Sequence, residues 1–230
     1  RSLMLVRNVG HLMTIDAITG HSSLRGYPDL DLSHLSVVHH PDAVGGITAA
    51  FALCVAMHHR AYTGQSQFID LSQAEAFMNH MGEIFLEYSM TGRVRSRRGN
   101  EHPTMAPHGC YPCAGKDKWV TIAVRSEKEW RAFCHATAIP QLAEDDRFTI
   151  LETRLKNRDQ LNWLISQWTS SRDRYQVAAL LQDLGIPSEP VLDCGGDTYD
   201  DPHLQDRDHF QTVTHKEAGT HVVSGTIWNV

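Results

Sequence analysis

The arrangement with the most chemical potential in this sequence is a carboxylate set in front of a glycine-thinned helix. Asp42 precedes Gly45, Gly46 and a long apolar run in PDAVGGITAAFALCVAMHHRAYTG. A carboxylate at a helix start faces the positive end of the helix dipole and backbone N–H groups that lack intrahelical partners. By residue type alone Asp42 is an N-cap, because Asp is among the commonest residues there. The glycines add a second meaning: with no side chains, they let a bulky ligand approach the carboxylate, though they would serve close helix packing equally well. Another constellation is His102, His108, Cys110 and Cys113, whose H-x5-H-x-C-x2-C spacing supplies four ligands of the types zinc takes. Against it, structural zinc sites usually draw on two separated pairs, and Pro112 sits inside the Cys pair. The His39–His40 and His58–His59 pairs read as structural, the latter placing positive charge near a helix C-terminus.

The elements that must hold these residues follow from patterning. An Asp-, Ser-, Pro- and His-rich stretch, GYPDLDLSHLSVVHHPD, reads as a connection leading to a helix over about Val44–Ala61. QSQFIDLS has the alternation of a short strand, and QAEAFMNHMGEIFLEYSMTG has helical spacing as far as Gly92. Helix, strand, helix is an α/β signature. RVRSRRGNEHPTMAPHG lacks apolar periodicity, which predicts a linker over Arg93–Pro107. Beyond it KDKWVTIAV reads as a strand, and Ser126 with Glu129 forms a capping box before EWRAFCHAT. Helices follow in NRDQLNWLISQWTS and RDRYQVAALLQDLG, the second stopped by Gly185 and Pro187, and HVVSGTIWNV has strand character. Trp119, Trp130, Trp163 and Trp168 are expected in the core.

Bulk properties narrow the classes. A chain of 230 residues with 41% hydrophobic content can bury a core, and a formal charge of −6 lacks the basic field that nucleic acid needs. Ile47–Met57 is too short to span a bilayer and stops at His58, His59 and Arg60, so no membrane partner is expected. The opening RSLMLVRNVGHLMT has no signal-peptide layout, and five cysteines, an odd number, argue for reduced thiols. Both observations point to the cytoplasm.

PDAVGGITAAFALCVAMHHRAYTGQSQFIDLSQAEA, with its TGxxQxxDLSxxEA ending, resembles the signature stretch of family III CoA-transferases, the group that includes carnitine dehydratase, the bile-acid-inducible protein F and formyl-CoA transferase. Two further blocks, GNEHPTMAPHGCYPCAGKDKWVTIAV and LGIPSEPVLD followed by DPHLQDRDHF, resemble the same family in the same order. Residues 1–18 instead resemble a malate synthase segment, RNVGHLMT being the telling part. The family resemblance implies an α/β fold: part of a Rossmann-like large domain over 19–92, a smaller α+β domain over 93–190, and a return toward the large domain over 191–230, with 1–18 set apart as atypical.

It also implies a mechanism in which Asp42 attacks a donor thioester, passes through a mixed anhydride and an aspartyl-CoA thioester, and hands CoA to an acceptor carboxylate. Gly45, Gly46, His108 and Gly109 would line the acyl-CoA pocket. No metal and no tightly bound cofactor is implied, since CoA arrives as the substrate's own carrier, and the full-length protein is expected to be an interlocked homodimer. His102-Pro103-Thr104-Met105-Ala106 stands where formyl-CoA transferase has a glycine-rich loop, so a different substrate is expected. Two alternatives stay open: the zinc-binding module, and an α-methylacyl-CoA racemase in which Asp42 and His11 move a proton, with Glu127 near a further acidic position.

Overall fold

The computed structural model of the protein describes residues 18–29 and 40–227, and the chain divides into two compact units, Arg1–Glu101 and His102–Val230. The expected linker over 93–107 spans the point of division.

In the first unit, the described residues form a 3-10 turn at His21–Ser23 and the helices α1 (His40–Thr63), α2 (Gln73–Asn79) and α3 (Gly82–Thr91). Helix α1 begins before the expected Val44 and outlasts the expected Ala61. Pro41 sits in its first turn, where the missing N–H breaks no intrahelical bond. At the far end Gly64 adopts a left-handed φ of 71° and its N–H bonds Arg60 O at 2.8 Å. The basic residue of the last turn is therefore Arg60 rather than His58 or His59. Helix α3 ends where expected, at Gly92, whose φ of 68° closes the turn onto Tyr88 O.

Residues 65–72, expected as a strand, join no ladder, and Phe68 is 94% exposed. A strand exists only with a hydrogen-bonded neighbour, and the described residues of this unit provide none. Helix α1 packs on α2, yet among its side chains only Pro41 and Gly45 are buried. Ile47, Phe51, Leu53, Val55 and Met57 are all exposed. At 24 residues α1 is, by length and composition alone, able to cross a bilayer, so the length argument made for Ile47–Met57 does not extend to the whole helix.

The second unit is α+β. Strands β1 (His108–Pro112), β2 (Trp119–Ala123) and β3 (Ser188–Val191) form an antiparallel sheet with β2 in the middle. Registers Tyr111↔Val120 and Gly109↔Ile122 put those four residues on one face, which the core covers. Against it pack α4 (Glu127–Thr137), α7 (Arg158–Thr169) and α8 (Arg174–Gln182), separated by the short helices α5 (Pro140–Glu144) and α6 (Leu151–Lys156). Their buried residues follow helical spacing: Trp130, Phe133 and Thr137 on α4, then Leu161, Ile165 and Trp168 on α7, then Val177, Ala178 and Leu181 on α8. Ser126 caps α4 as expected by accepting from Glu129 N–H at 3.2 Å, while the Glu129 carboxylate accepts from Arg125 N–H at 2.7 Å. Two of the four tryptophans depart from expectation, Trp119 being 38% and Trp163 57% exposed, because each occupies a position facing away from the cluster.

Two buried arginines tie the unit together. Arg154, 1% exposed, donates to Ala106 O and Phe148 O, pairs with Glu127 Oε1 at 2.5 Å and stacks on Trp130 at 4.6 Å. Arg174 pairs with Asp197 Oδ2 at 2.5 Å and Lys118 reaches the same carboxylate at 3.1 Å; with these hydrogen bonds, Arg174 first, Asp197 is held well below the usual carboxylate range. Two further short helices, α9 (Gly196–Tyr199) and α10 (Pro202–Asp206), lead to a hairpin of β4 (Phe210–His215) and β5 (Gly219–Ser224), in agreement with the strand character of HVVS.

Candidate active site

Asp42 lies inside the first turn of α1 rather than at its N-cap, since the helix already starts at His40. The placement keeps the carboxylate at the positive end of the dipole. Its carboxylate accepts a 2.5 Å hydrogen bond at Oδ1 from Gln73 Nε2. Gln73 is the first residue of α2, whose start is set by Ser72 accepting from Glu75 N–H at 3.2 Å.

The two glycines of α1 play different parts. Gly45 is buried, and a Cβ built on it would meet Gln73 Cγ at 2.8 Å, so its missing side chain is the passage through which Gln73 reaches Asp42. Gly46 is exposed, and a Cβ there would meet nothing within 4 Å. Asp42, Gly45 and Gly46 thus share one end of one helix. His108 and Gly109 belong to β1 in the second unit and occupy positions on opposite faces of the strand. A Cβ on Gly109 would come within 3.1 Å of Tyr111 Oη, and Tyr111 is buried with its hydroxyl donating to Asn162 Oδ1 at 2.8 Å. The His108 ring lies 5.2 Å from that of His102.

The proposed zinc ligands do not assemble. Cys110 and Cys113 point to opposite sides of the β1 strand and its extension, because side chains alternate along it. Cys113 is buried with its thiol directed at Tyr111 O, and burial pushes its pKa up to about 11. Among the described residues no group of three or more His, Cys, Asp or Glu could hold a metal. For the racemase alternative, His11 falls outside the described residues, and Glu127 is the ion-pair partner of Arg154 in the first turn of α4.

Gln73 escaped sequence reasoning. The Ser72–Glu75 capping pattern places it at a helix start, but a pairing across 31 residues of chain leaves no local signal.

The fold is shared by solved structures. One from Brucella suis, described as a CAIB/BAIF family protein, superposes with a TM-score of 0.76 at 24% identity over 91% of this chain and 57% of that one. The profile of CoA-transferase family III matches residues 6–230, and the chain belongs to that family. The match takes in residues 6–18 of the segment whose resemblance pointed to malate synthase. A probable CoA-transferase of Mycobacterium tuberculosis is 35% identical over 176 residues, covering 76% of this chain and 22% of the relative. The succinyl-CoA:mesaconate CoA-transferase of Haloarcula marismortui is 31% identical over 172 residues, 75% of this chain and 42% of the relative. The succinyl-CoA–D-citramalate CoA-transferase of Chloroflexus aurantiacus is 28% identical over 189 residues, 82% of this chain and 46% of the relative. The chain thus spans less than half the length of these relatives.

Proposed function

We propose that these residues form part of a CoA-transferase that moves CoA from an acyl-CoA donor to a carboxylic acid acceptor, with Asp42 as the nucleophile. The observation that carries this reading is the family match across 6–230, which includes the exposed carboxylate at the start of α1. Attack of Asp42 on the donor thioester gives a mixed anhydride and CoA thiolate; the thiolate displaces the donor acid to give an aspartyl-CoA thioester. The acceptor carboxylate repeats the sequence in reverse. The positive end of the α1 dipole, beside Asp42, is suited to developing oxyanions. Gly46 gives open room beside the carboxylate, and the same family reading assigns Gly45, His108 and Gly109 to acyl-CoA binding. The chemistry draws on no metal or tightly bound cofactor. The relatives' names make succinyl-CoA and small dicarboxylic acids the first substrates to try. We place the protein in the cytoplasm as an interlocked homodimer, with no nucleic-acid or membrane partner; the exposed apolar side of α1 is the kind of surface such an assembly would cover.

The test is intact-mass spectrometry of the full-length protein quenched during turnover with succinyl-CoA and a panel of acids, followed by mapping of the adduct. A CoA thioester on Asp42 is the expected result. No adduct, together with exchange of the acyl α-proton into deuterated water, would replace the transfer reading with the racemase.

A further inference from the structure

Resting on the reading of Asp42 as nucleophile, we infer that Gln73 is a catalytic hydrogen-bond donor that selects Asp42 Oδ1 as the carbonyl oxygen of every acyl intermediate. Three features support it. The Gln73 carboxamide meets Oδ1 at 2.5 Å, and beside a carboxylate only the NH2 end of an amide is compatible, because the carbonyl end would repel. Gly45 is the one residue type that lets this side chain pass, since even a methyl group would fall 2.8 Å from Gln73 Cγ. The start of α2 is also held in place: Ser72 caps it, and Phe77 is buried with its ring 5.1 Å from that of His21 in an edge arrangement.

The chemistry follows from which oxygen can keep accepting. Once Asp42 is acylated, one of its oxygens bridges to the acyl group and the other becomes a carbonyl oxygen. A bridging anhydride oxygen is a poor acceptor, so the donor at Oδ1 favours acylation through the other oxygen. When CoA thiolate adds to the Asp42 carbonyl carbon, a C–S bond forms and the π pair moves onto Oδ1. Collapse restores C=O and breaks the C–O bond, releasing the donor acid as its carboxylate. In the return step the acceptor carboxylate adds, the charge again falls on Oδ1, and C–S cleavage releases the thiolate. The amide donates a hydrogen bond throughout and no proton is transferred. A neutral donor suits this position, because it stabilises the developing oxyanion without giving up a proton to it.

The experiment compares wild type with Gln73→Met, which keeps length and removes the donor, Gln73→Asn, which shortens its reach, and Gly45→Ala, which obstructs its path. Each is assayed at full length with succinyl-CoA and the best acid from the panel. Gln73→Met is expected to lower kcat by roughly 10²-fold or more, the scale for losing one oxyanion donor, with KM for succinyl-CoA within about twofold and an unchanged thermal transition. Gln73→Asn should fall between Met and wild type, and Gly45→Ala should reproduce the Met phenotype even if Gln73→Met folds poorly. A kcat within about threefold of wild type in Gln73→Met, with the Asp42 adduct still forming, would overturn the role of Gln73 alone, as would a loss confined to KM. Absence of any Asp42 adduct in wild type would overturn the nucleophile reading beneath it.

Discussion

Helix α1 and the core of the second unit use similar apolar residues to opposite ends. In α1, Ile47 is 72% and Phe51 69% exposed, whereas Val120, Phe133 and Leu161 in the second unit are fully buried. The sheet and its helices close a core of their own, so that unit's stability is written in its own contacts. Helix α1 presents its apolar side outward and carries at its first turn the carboxylate most suited to chemistry. Damage to the first region should therefore be read in activity, and damage to the second in stability.

The largest effect should come from Asp42→Ala, expected to reduce CoA transfer by roughly 10⁴-fold or more while shifting unfolding by only about 1 kcal/mol, checked by turnover assay and denaturant titration side by side. Appreciable residual transfer would break the assignment of chemistry to α1. Next is Leu161→Ala, which opens a cavity in a fully buried site and should cost about 3 kcal/mol in denaturant unfolding. Arg154→Met, close behind at about 3 kcal/mol, leaves Ala106 O, Phe148 O and the Glu127 carboxylate without their guanidinium partner. If this variant melts like wild type, the buried arginine is not a fastening.

A pH experiment sharpens the contrast further. Burial raises the Cys134 thiol to about 11, and Cys113 likewise, while Cys54 on α1 is exposed. The folded state thus holds these two thiol protons more tightly than the unfolded chain does. Their contribution to stability is complete below the ordinary thiol value near 9 and is lost as pH rises from there through 11. Thermal unfolding should weaken across that window, less so in Cys134→Ala, and at neutral pH a thiol reagent should label Cys54 well before Cys134. The smallest effect is expected for Phe51→Ala in the isolated chain, within about 0.5 kcal/mol by denaturant unfolding, with a larger loss in the full-length protein where the proposed dimer would cover α1. A loss comparable to that of Leu161→Ala would show that the outer side of α1 is covered in solution.

Part of this organisation is legible in the sequence. The capping box at Ser126, the stop at Gly92 and the apolar spacing of α4, α7 and α8 rest on interactions a few residues apart, which is why patterning found them, whereas KDKWVTIAV became a strand because β1 and β3 pair with it. Patterning failed where partners are distant. QSQFIDLS has strand alternation but no neighbouring strand among the described residues of its unit. Trp163 has a core residue's chemistry on the outward side of α7. The zinc spacing looked complete until the alternation of β1 sent Cys110 and Cys113 apart.

The sequence by itself determined the family, the position of Asp42 beside two glycines and the helices of the second unit, since each is carried by residue order and local hydrogen bonding. Only the tertiary structure decided why Gly45 differs from Gly46 and which side chain holds Asp42. Both answers depend on Gln73, which lies far along the chain and is brought to the carboxylate only when α2 packs on α1.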